Sequence, residues 1–138
     1  MSNTEQTEQT KALAERFYEL AIVGEDAELR WPDYRLTHVP EHPMAGSWTG
    51  AEADAARARV LGTLGLTSFK VNKVVGVGPD LAVGLLEVQG ADANGKTWQQ
   101  PLVEFLHFRD GKITHIRPNF WDVEELHRVV ATRTGGDQ

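Results

Sequence analysis

Residues Gln100 to Leu126 read QPLVEFLHFRDGKITHIRPNFWDVEEL. Asp110-Gly111 is the dipeptide favoured in a two-residue hairpin turn, because Gly takes positive φ freely and Asp tolerates it. The turn sets a register in which Arg109 faces Lys112, Phe108 faces Ile113, Leu106 faces His115, Glu104 faces Arg117 and Leu102 faces Asn119. Directly opposed residues share a face. One face is therefore expected to carry Leu102, Glu104, Leu106, Phe108, Ile113, His115, Arg117, Asn119 and Trp121. The other is expected to carry Val103, Phe105, His107, Thr114, Ile116 and Pro118. Both faces are too apolar for an antiparallel sheet with one side in water, so one should close over an interior and the other should meet a second subunit. The first mixes carboxylate, imidazole, guanidinium and amide with large hydrophobes, which is the composition of a small-molecule pocket.

The rest of the chain surrounds this hairpin with helices and more strands. Leu13, Phe17, Leu20 and Ala21 recur at helical spacing between Thr10 and Val23, and Gly24 stops them. Glu25 to Trp31 reads as a short second helix ended near Pro32, and Tyr34 to Val39 alternates as a strand. Pro40 to Gly50, with two prolines and two glycines at Pro40, Pro43, Gly46 and Gly50, reads as a loop. Glu52 to Leu64 is expected to be helical. Ser68 to Val77, Leu81 to Gln89, Thr97 to Arg109 and Lys112 to Trp121 are expected strands, joined by Gly78-Pro79-Asp80, Asn94-Gly95 and the Asp110-Gly111 turn. A last helix should begin around Asp122 and carry Val123, Leu126 and Val130. Helices first and antiparallel strands after make an α+β architecture with helices on one face of a curved sheet. With no repeat and no linker, residues 1–138 read as one domain, with 1–9 and 132–138 as frayed ends.

Composition bounds the functions open to such a domain. A chain of 138 residues with 41% hydrophobic content can bury one core. A net charge of -6, with no run of Lys or Arg, argues against nucleic acid or an anionic membrane as partner. The absence of cysteine excludes disulfides and thiolate chemistry and fits a reducing cytoplasm. No apolar run reaches the ~18 residues of a membrane span, and MSNTEQTEQT does not have the character of a signal peptide.

Four segments carry a resemblance: ERFYELAIVGED in the first helix, DYRLTHVPEHPMAGSWTGAEA through the loop, VEFLHFRDGKI in the hairpin, and NFWDVEEL at the end. Together they resemble the nuclear transport factor 2-like superfamily over about Ala12 to Val130, and within it the SnoaL-like polyketide cyclases and the ketosteroid isomerases. The resemblance implies a cone-shaped barrel of a mostly antiparallel sheet, with N-terminal helices packed on its concave face. It also implies a homodimer through the outer sheet face and a cofactor-independent enzyme. That enzyme would be a cyclase or isomerase, acting by acid/base chemistry on a hydrophobic, polyketide-like or polycyclic molecule. Two alternatives stay open: an epoxide hydrolase of the limonene epoxide hydrolase type, and a non-catalytic small-molecule binder.

The resemblance also assigns residues. His38 stands where the isomerases end their first strand with a general base, and an imidazole near pKa ~6.5 exchanges protons at neutral pH. Glu104 stands where they place an acidic oxyanion donor, and apolar neighbours would raise its pKa. The same carboxylate, opposite Arg117, could instead form a buried ion pair. Phe17 replaces the isomerases' helix-one tyrosine, with Tyr18 expected on a different face of the helix. Asp122 matches an acid/base aspartate of the cyclases, yet the spacing of Asp122 to Glu125 is also that of a helix cap. Substrate contacts are expected from Phe17, Tyr34, Trp48, Leu102, Leu106, His115, Arg117, Asn119 and Trp121, with Trp48 suited to a lid. His107 is expected to be structural or interfacial. His38, Glu41 and His42 lack the helical spacing and third ligand of a metal site, so none is expected. GVGPD at Gly76 to Asp80 joins two strands and opens no helix, so it reads as a turn.

Overall fold

The computed structural model describes residues 2–135. Helix α1 spans Asn3–Ile22, and a short 3-10 turn follows at Asp26–Leu29. Strand β1 (Arg30–His38) and the short β2 (Gly46–Thr49) lead into helix α2 (Gly50–Thr63). Strands β3 (Leu66–Gly78), β4 (Leu81–Ala91), β5 (Thr97–Arg109) and β6 (Lys112–Phe120) precede helix α3 (Val123–Gly135). The six strands form one curved sheet in the order β2-β1-β6-β5-β4-β3. All neighbours are antiparallel except β1 and β6, so the sheet is mixed. It remains open, with β2 and β3 as edges, and its curvature with the N-terminal helices on one face makes the expected cone-shaped α+β fold.

Both ends of α1 are built from local chemistry. Ser2 accepts a hydrogen bond from the Glu5 N–H at 3.1 Å while its hydroxyl meets the Glu5 carboxylate at 3.2 Å, a reciprocal cap that starts the helix at Asn3. The expected frayed end at residues 1–9 is therefore helix from Asn3 onward, and α3 likewise runs through Thr132. The remainder of that expectation, at Met1 and residues 136–138, lies outside the described residues. At the other end Gly24 takes φ +74°, and the N–H groups of Gly24 and Glu25 close back on Ala21 and Leu20, which satisfies two terminal carbonyls.

Two further expectations shift. Strand β2 lies inside the expected loop, where Ser47 and Trp48 pair with Thr37 and Leu36. Pro32 falls within β1 because the pairing to β6 breaks between Arg30 and Arg35, so no ladder N–H is needed from it.

The largest correction is in the hairpin. The turn forms as expected, with Asp110 at φ 49° and Gly111 at φ 81°, and Arg109 pairs with Lys112 and Phe108 with Ile113. One residue later the register shifts: His107 pairs with His115, Leu106 with Ile116, Phe105 with Arg117, Glu104 with Pro118 and Val103 with Asn119. Thr114 is the extra residue, and its hydroxyl donates to the His107 carbonyl at 3.3 Å. A bulge of one residue turns every later side chain to the opposite face. Ile116, Pro118 and Phe120 therefore join Leu102, Glu104 and Leu106 on the inner face. His115, Arg117 and Asn119 join Phe105 and His107 outside.

Helices α1 and α2 pack on the inner face. Ala14, Phe17, Tyr18, Ala53, Ala56 and Val60 are buried against Leu36, Leu86, Leu102 and Ile116. Burying side chains such as Leu106 or Ile116 stabilises the fold by about 1.5–3 kcal/mol each. At the far end of the sheet, α3 buries Leu126 and Val129. Trp98 donates its indole N–H to the Leu64 carbonyl at 3.2 Å, and Arg128 pairs with Asp92 at 2.8 Å. Among the described residues no helix is long and apolar enough to cross a membrane.

Candidate functional site

Between the inner face and the two N-terminal helices lies a cavity of about 440 Å³. Its depth is apolar, with Leu86, Val88, Leu102, Ile116 and Phe120 from the sheet and Phe17 and Val60 from the helices. Ile22 and Leu61 line it while remaining more than half exposed and half exposed respectively, so its mouth is also apolar. Four ionisable side chains enter this lining, Tyr18, Glu104, Arg57 and His38, beside the hydroxyls of Thr67 and Ser68.

Tyr18 donates its hydroxyl to Glu104 Oε1 at 3.0 Å. Strand β4 makes room for that bond. Gly84 pairs directly with Glu104, and a Cβ at Gly84 would lie 2.1 Å from the Tyr18 oxygen. A glycine in a strand interior is explained here by close approach of a side chain. Burial raises the Glu104 pKa, while the Arg57 charge and the Tyr18 hydrogen bond pull it back. Burial, and then the Glu104 charge, push the Tyr18 phenol far above its ordinary value, so Tyr18 acts only as a donor.

Arg57 is the cation near Glu104, and it is tied down from behind. Asp26, in the 3-10 turn, accepts from Arg57 at 3.1 Å and from Arg30 at 3.0 Å. Arg30 reaches Asp54 at 2.7 Å, and the Tyr34 hydroxyl donates to Asp54 at 2.6 Å. This network leads from the cavity wall to the surface and fixes the charge that biases Glu104.

His38, the last residue of β1, faces the cavity from the other side of β6. Continuing the parallel register of Leu36 with Ile116 by two residues sets His38 beside Pro118, the partner of Glu104. At about 4.8 Å per strand, His38 and Glu104 stand roughly 10 Å apart along the sheet with both side chains inward. The His38 ring lies 4.3 Å from that of His42, centroid to centroid, with Phe120 and Trp48 on its other sides. Burial lowers the His38 pKa to about 4. Burial, and then the neighbouring His38 and His127, lower that of His42 to about 3. Among the described residues no group of three His, Cys, Asp or Glu side chains converges as metal ligands would.

The fold has close counterparts among solved structures. A protein from Burkholderia thailandensis E264 described as NTF2-like superposes with TM-score 0.74 at 18% identity, over 94% of this chain and 98% of its own. The chain has the NTF2-like fold. A protein from Jannaschia sp. CCS1 described as a SnoaL-like polyketide cyclase shares this NTF2-like fold at TM-score 0.69 and 20% identity, over 89% and 92% of the two chains. TerC, co-crystallised with polyporic acid, matches at TM-score 0.61 and 19% identity, over 88% and 98%. No protein-family model matches the sequence, and no curated protein matches it.

Within this NTF2-like frame the residues singled out from sequence separate. His38, Glu104, Phe17 and Leu102 line the cavity together. Leu106 is fully buried in the core beneath it, and Tyr34 is held by Asp54 outside the lining. Trp48 packs across Gly46 and against His38 but does not line the cavity, so it serves as a wall for the histidine pair. His115, Arg117 and Asn119 lie on the outer face, turned there by the Thr114 bulge, and Trp121 is 81% exposed. Arg117 donates to His107 Nε2 at 3.1 Å and covers the Phe105 ring, so the expected Glu104–Arg117 pairing does not form. Asp122 accepts from the Glu125 N–H at 3.0 Å and its backbone is clasped by the Gln100 amide, which makes it the cap of α3 outside the cavity.

Tyr18 and Arg57 enter the site without having been singled out for it. Tyr18 was expected on a different helix face, but the buried stripe of α1 is wide enough to include both Phe17 and Tyr18. The signals were Gly84 inside a strand and the placement of Arg57 on the Ala53, Ala56 and Val60 stripe of α2.

Proposed function

We propose that this protein is a cofactor-independent acid/base enzyme, a cyclase or isomerase, acting on a hydrophobic polyketide-like or polycyclic molecule held in the cavity. The observation that carries this reading is the Tyr18–Glu104 hydrogen bond set inside an apolar cavity, with His38 across Pro118. Burial raises the Glu104 pKa, which makes its carboxylate a stronger base than an ordinary one. Its carboxylate takes the proton from a carbon next to a carbonyl, and the C–H electron pair moves onto the carbonyl oxygen as an enolate. Glu104 then returns the proton at another carbon, or the enolate carbon attacks a second carbonyl carbon of the same molecule, whose π pair moves onto its oxygen and takes the proton from Glu104. His38, expected from sequence as the base, is weakened in that part by the burial that lowers its pKa; it faces the reacting oxygen instead. The likeness to a structure described as a SnoaL-like polyketide cyclase, and to TerC with its bound polyporic acid, supports a small-molecule ligand of this kind.

The test compares small metabolites of the host carrying the wild-type gene or Glu104→Gln. An accumulated isomer of the normal product indicates isomerisation or ring closure, and a compound heavier by one water indicates dehydration. A compound lighter by one water indicates epoxide opening and overturns the reading. Unchanged metabolites also overturn it, in favour of a binding protein.

The same reading includes a homodimer through the outer face, where Val103 and Phe105 stand with Leu85 on a sheet surface that no helix of the described chain covers. Sedimentation equilibrium should return twice the chain mass. Phe105→Glu should return the single mass, and a monomeric wild type removes the dimer from the proposal.

A further inference from the structure

The two buried imidazoles at the cavity edge have complementary unmet needs. The Met44 N–H donates to His42 Nδ1 at 2.9 Å, so that nitrogen carries a lone pair and the neutral ring carries its proton on Nε2. His42 Nε2 is buried without a partner. His38 Nδ1 is also buried without a partner, and the His38 side chain lines the cavity, which leaves Nε2 as the ring nitrogen to meet a bound molecule. The rings lie 4.3 Å apart and tilted by 31°. Leaving a buried donor and a buried acceptor unpaired costs about 1–3 kcal/mol each. In this near-stacked arrangement neither in-plane N–H points at the facing ring, so the bond forms when His38 turns about its broad χ2 torsion from the stack to an edge-on approach.

We propose that His42 is a positioning residue for His38: its Nε2–H serves Nδ1 of His38, so that His38 meets the cavity through Nε2–H as a neutral hydrogen-bond donor. The inference rests on the reading of the cavity given above and names the part His38 plays in it. A neutral imidazole donor stabilises a developing enolate oxygen without delivering a full charge to an apolar cavity. Burial of both rings keeps them neutral at physiological pH, in keeping with this part. His127 of α3, the third histidine nearby, spends a ring nitrogen on the Glu41 carbonyl at 2.8 Å. It stands behind His42 and adds to the bias against charge there.

The experiment is a two-bond proton–nitrogen correlation spectrum of the imidazoles in the full-length, ligand-free, ¹⁵N-labelled protein at pH 7. His38 should show one tautomer, with Nδ1 unprotonated and the proton on Nε2, and a scalar coupling should pass from His42 Nε2 to His38 Nδ1. In His42→Phe, which keeps the stacked ring but removes the donor, His38 should become a mixture of tautomers. His42→Gln, which keeps an N–H, should restore the single tautomer; a purely structural role predicts the reverse order of the two variants. A proton on Nδ1 of His38 in the wild type overturns the proposal, as does an unchanged tautomer in His42→Phe. Where His42→Phe fails to fold, the wild-type spectrum and His42→Gln decide. Because no substrate is involved, failure here leaves the metabolite comparison untouched, and failure there leaves this result standing.

Discussion

Replacing Tyr18 with Phe removes one oxygen from the cavity lining and keeps the ring that fills the space opposite Gly84. No void opens, so the stability change isolates the 3.0 Å hydrogen bond to Glu104. Such a bond is worth about 0.5–1.5 kcal/mol to a neutral carboxyl and about 1.5–3 kcal/mol to a carboxylate. The loss should therefore grow with pH. Glu104 has a folded pKa raised above its unfolded value. Between those values the native state holds the proton that the unfolded state has released, so stability falls as pH rises through the folded pKa. Taking away Tyr18 removes a donor that favours the carboxylate, which raises that pKa further and deepens the fall. Urea unfolding of both proteins across a pH series should show Tyr18→Phe losing about 1 kcal/mol where native Glu104 is protonated and about 2 kcal/mol or more where it is ionised. An equal loss at every pH would refute the linkage to Glu104 ionisation. A loss of only a few tenths would refute the bond itself.

Gly84→Ala places a methyl group 2.1 Å from the Tyr18 oxygen and 2.6 Å from its ring, so Tyr18 must move off Glu104. Thermal unfolding should report about 1–3 kcal/mol of destabilisation, and the Tyr18→Phe effect should shrink in that background. His38 sits at a pKa of about 4 against 6.5 for an ordinary imidazole, so the unfolded chain binds its proton first and stability is lost as pH falls from 6.5 to 4. At ~1.4 kcal/mol per unit this amounts to about 3 kcal/mol, with His42 adding in the same direction, and His38→Leu should remove that share of the acid loss in urea titrations. An unaltered pH slope counts against burial of a neutral His38. Once a substrate is in hand, His38→Ala should lower turnover by ~10²-fold or more with the fold intact by circular dichroism. A retained rate removes His38 from the chemistry.

The sequence by itself determined whatever rests on local geometry. The Asp110-Gly111 turn, the strand alternation of β4 and β5, the Gly24 helix stop and the Asp122 cap all depend on φ, on side-chain period and on bonds within a few residues. They were legible for that reason, and the α+β order followed from them, while the NTF2-like resemblance rested on four segments of the sequence. The Ser2–Glu5 cap was equally local and could have moved the start of α1 forward.

Only the tertiary structure decided which way the second half of the hairpin faces. Thr114 adds one residue to β6, and because strand side chains alternate, that single step exchanges His115, Arg117 and Asn119 for Ile116, Pro118 and Phe120 on the cavity face. The alternation Ile113, His115, Arg117 is as regular in sequence as its neighbour, so the bulge leaves no mark there; packing chooses it, since it buries Ile116 and Pro118 and leaves Arg117 outside. The acid site has the same character. Glu104 was visible as a carboxylate among hydrophobes, but its donor sits 86 residues earlier on α1. Its cation comes from α2, and the space for the bond comes from a glycine on β4. The pairing of His38 with His42 needs the turn after β1 to fold back, held by Met44. Contacts between separate elements are set by how those elements pack, and no local pattern in any one of them encodes the partner.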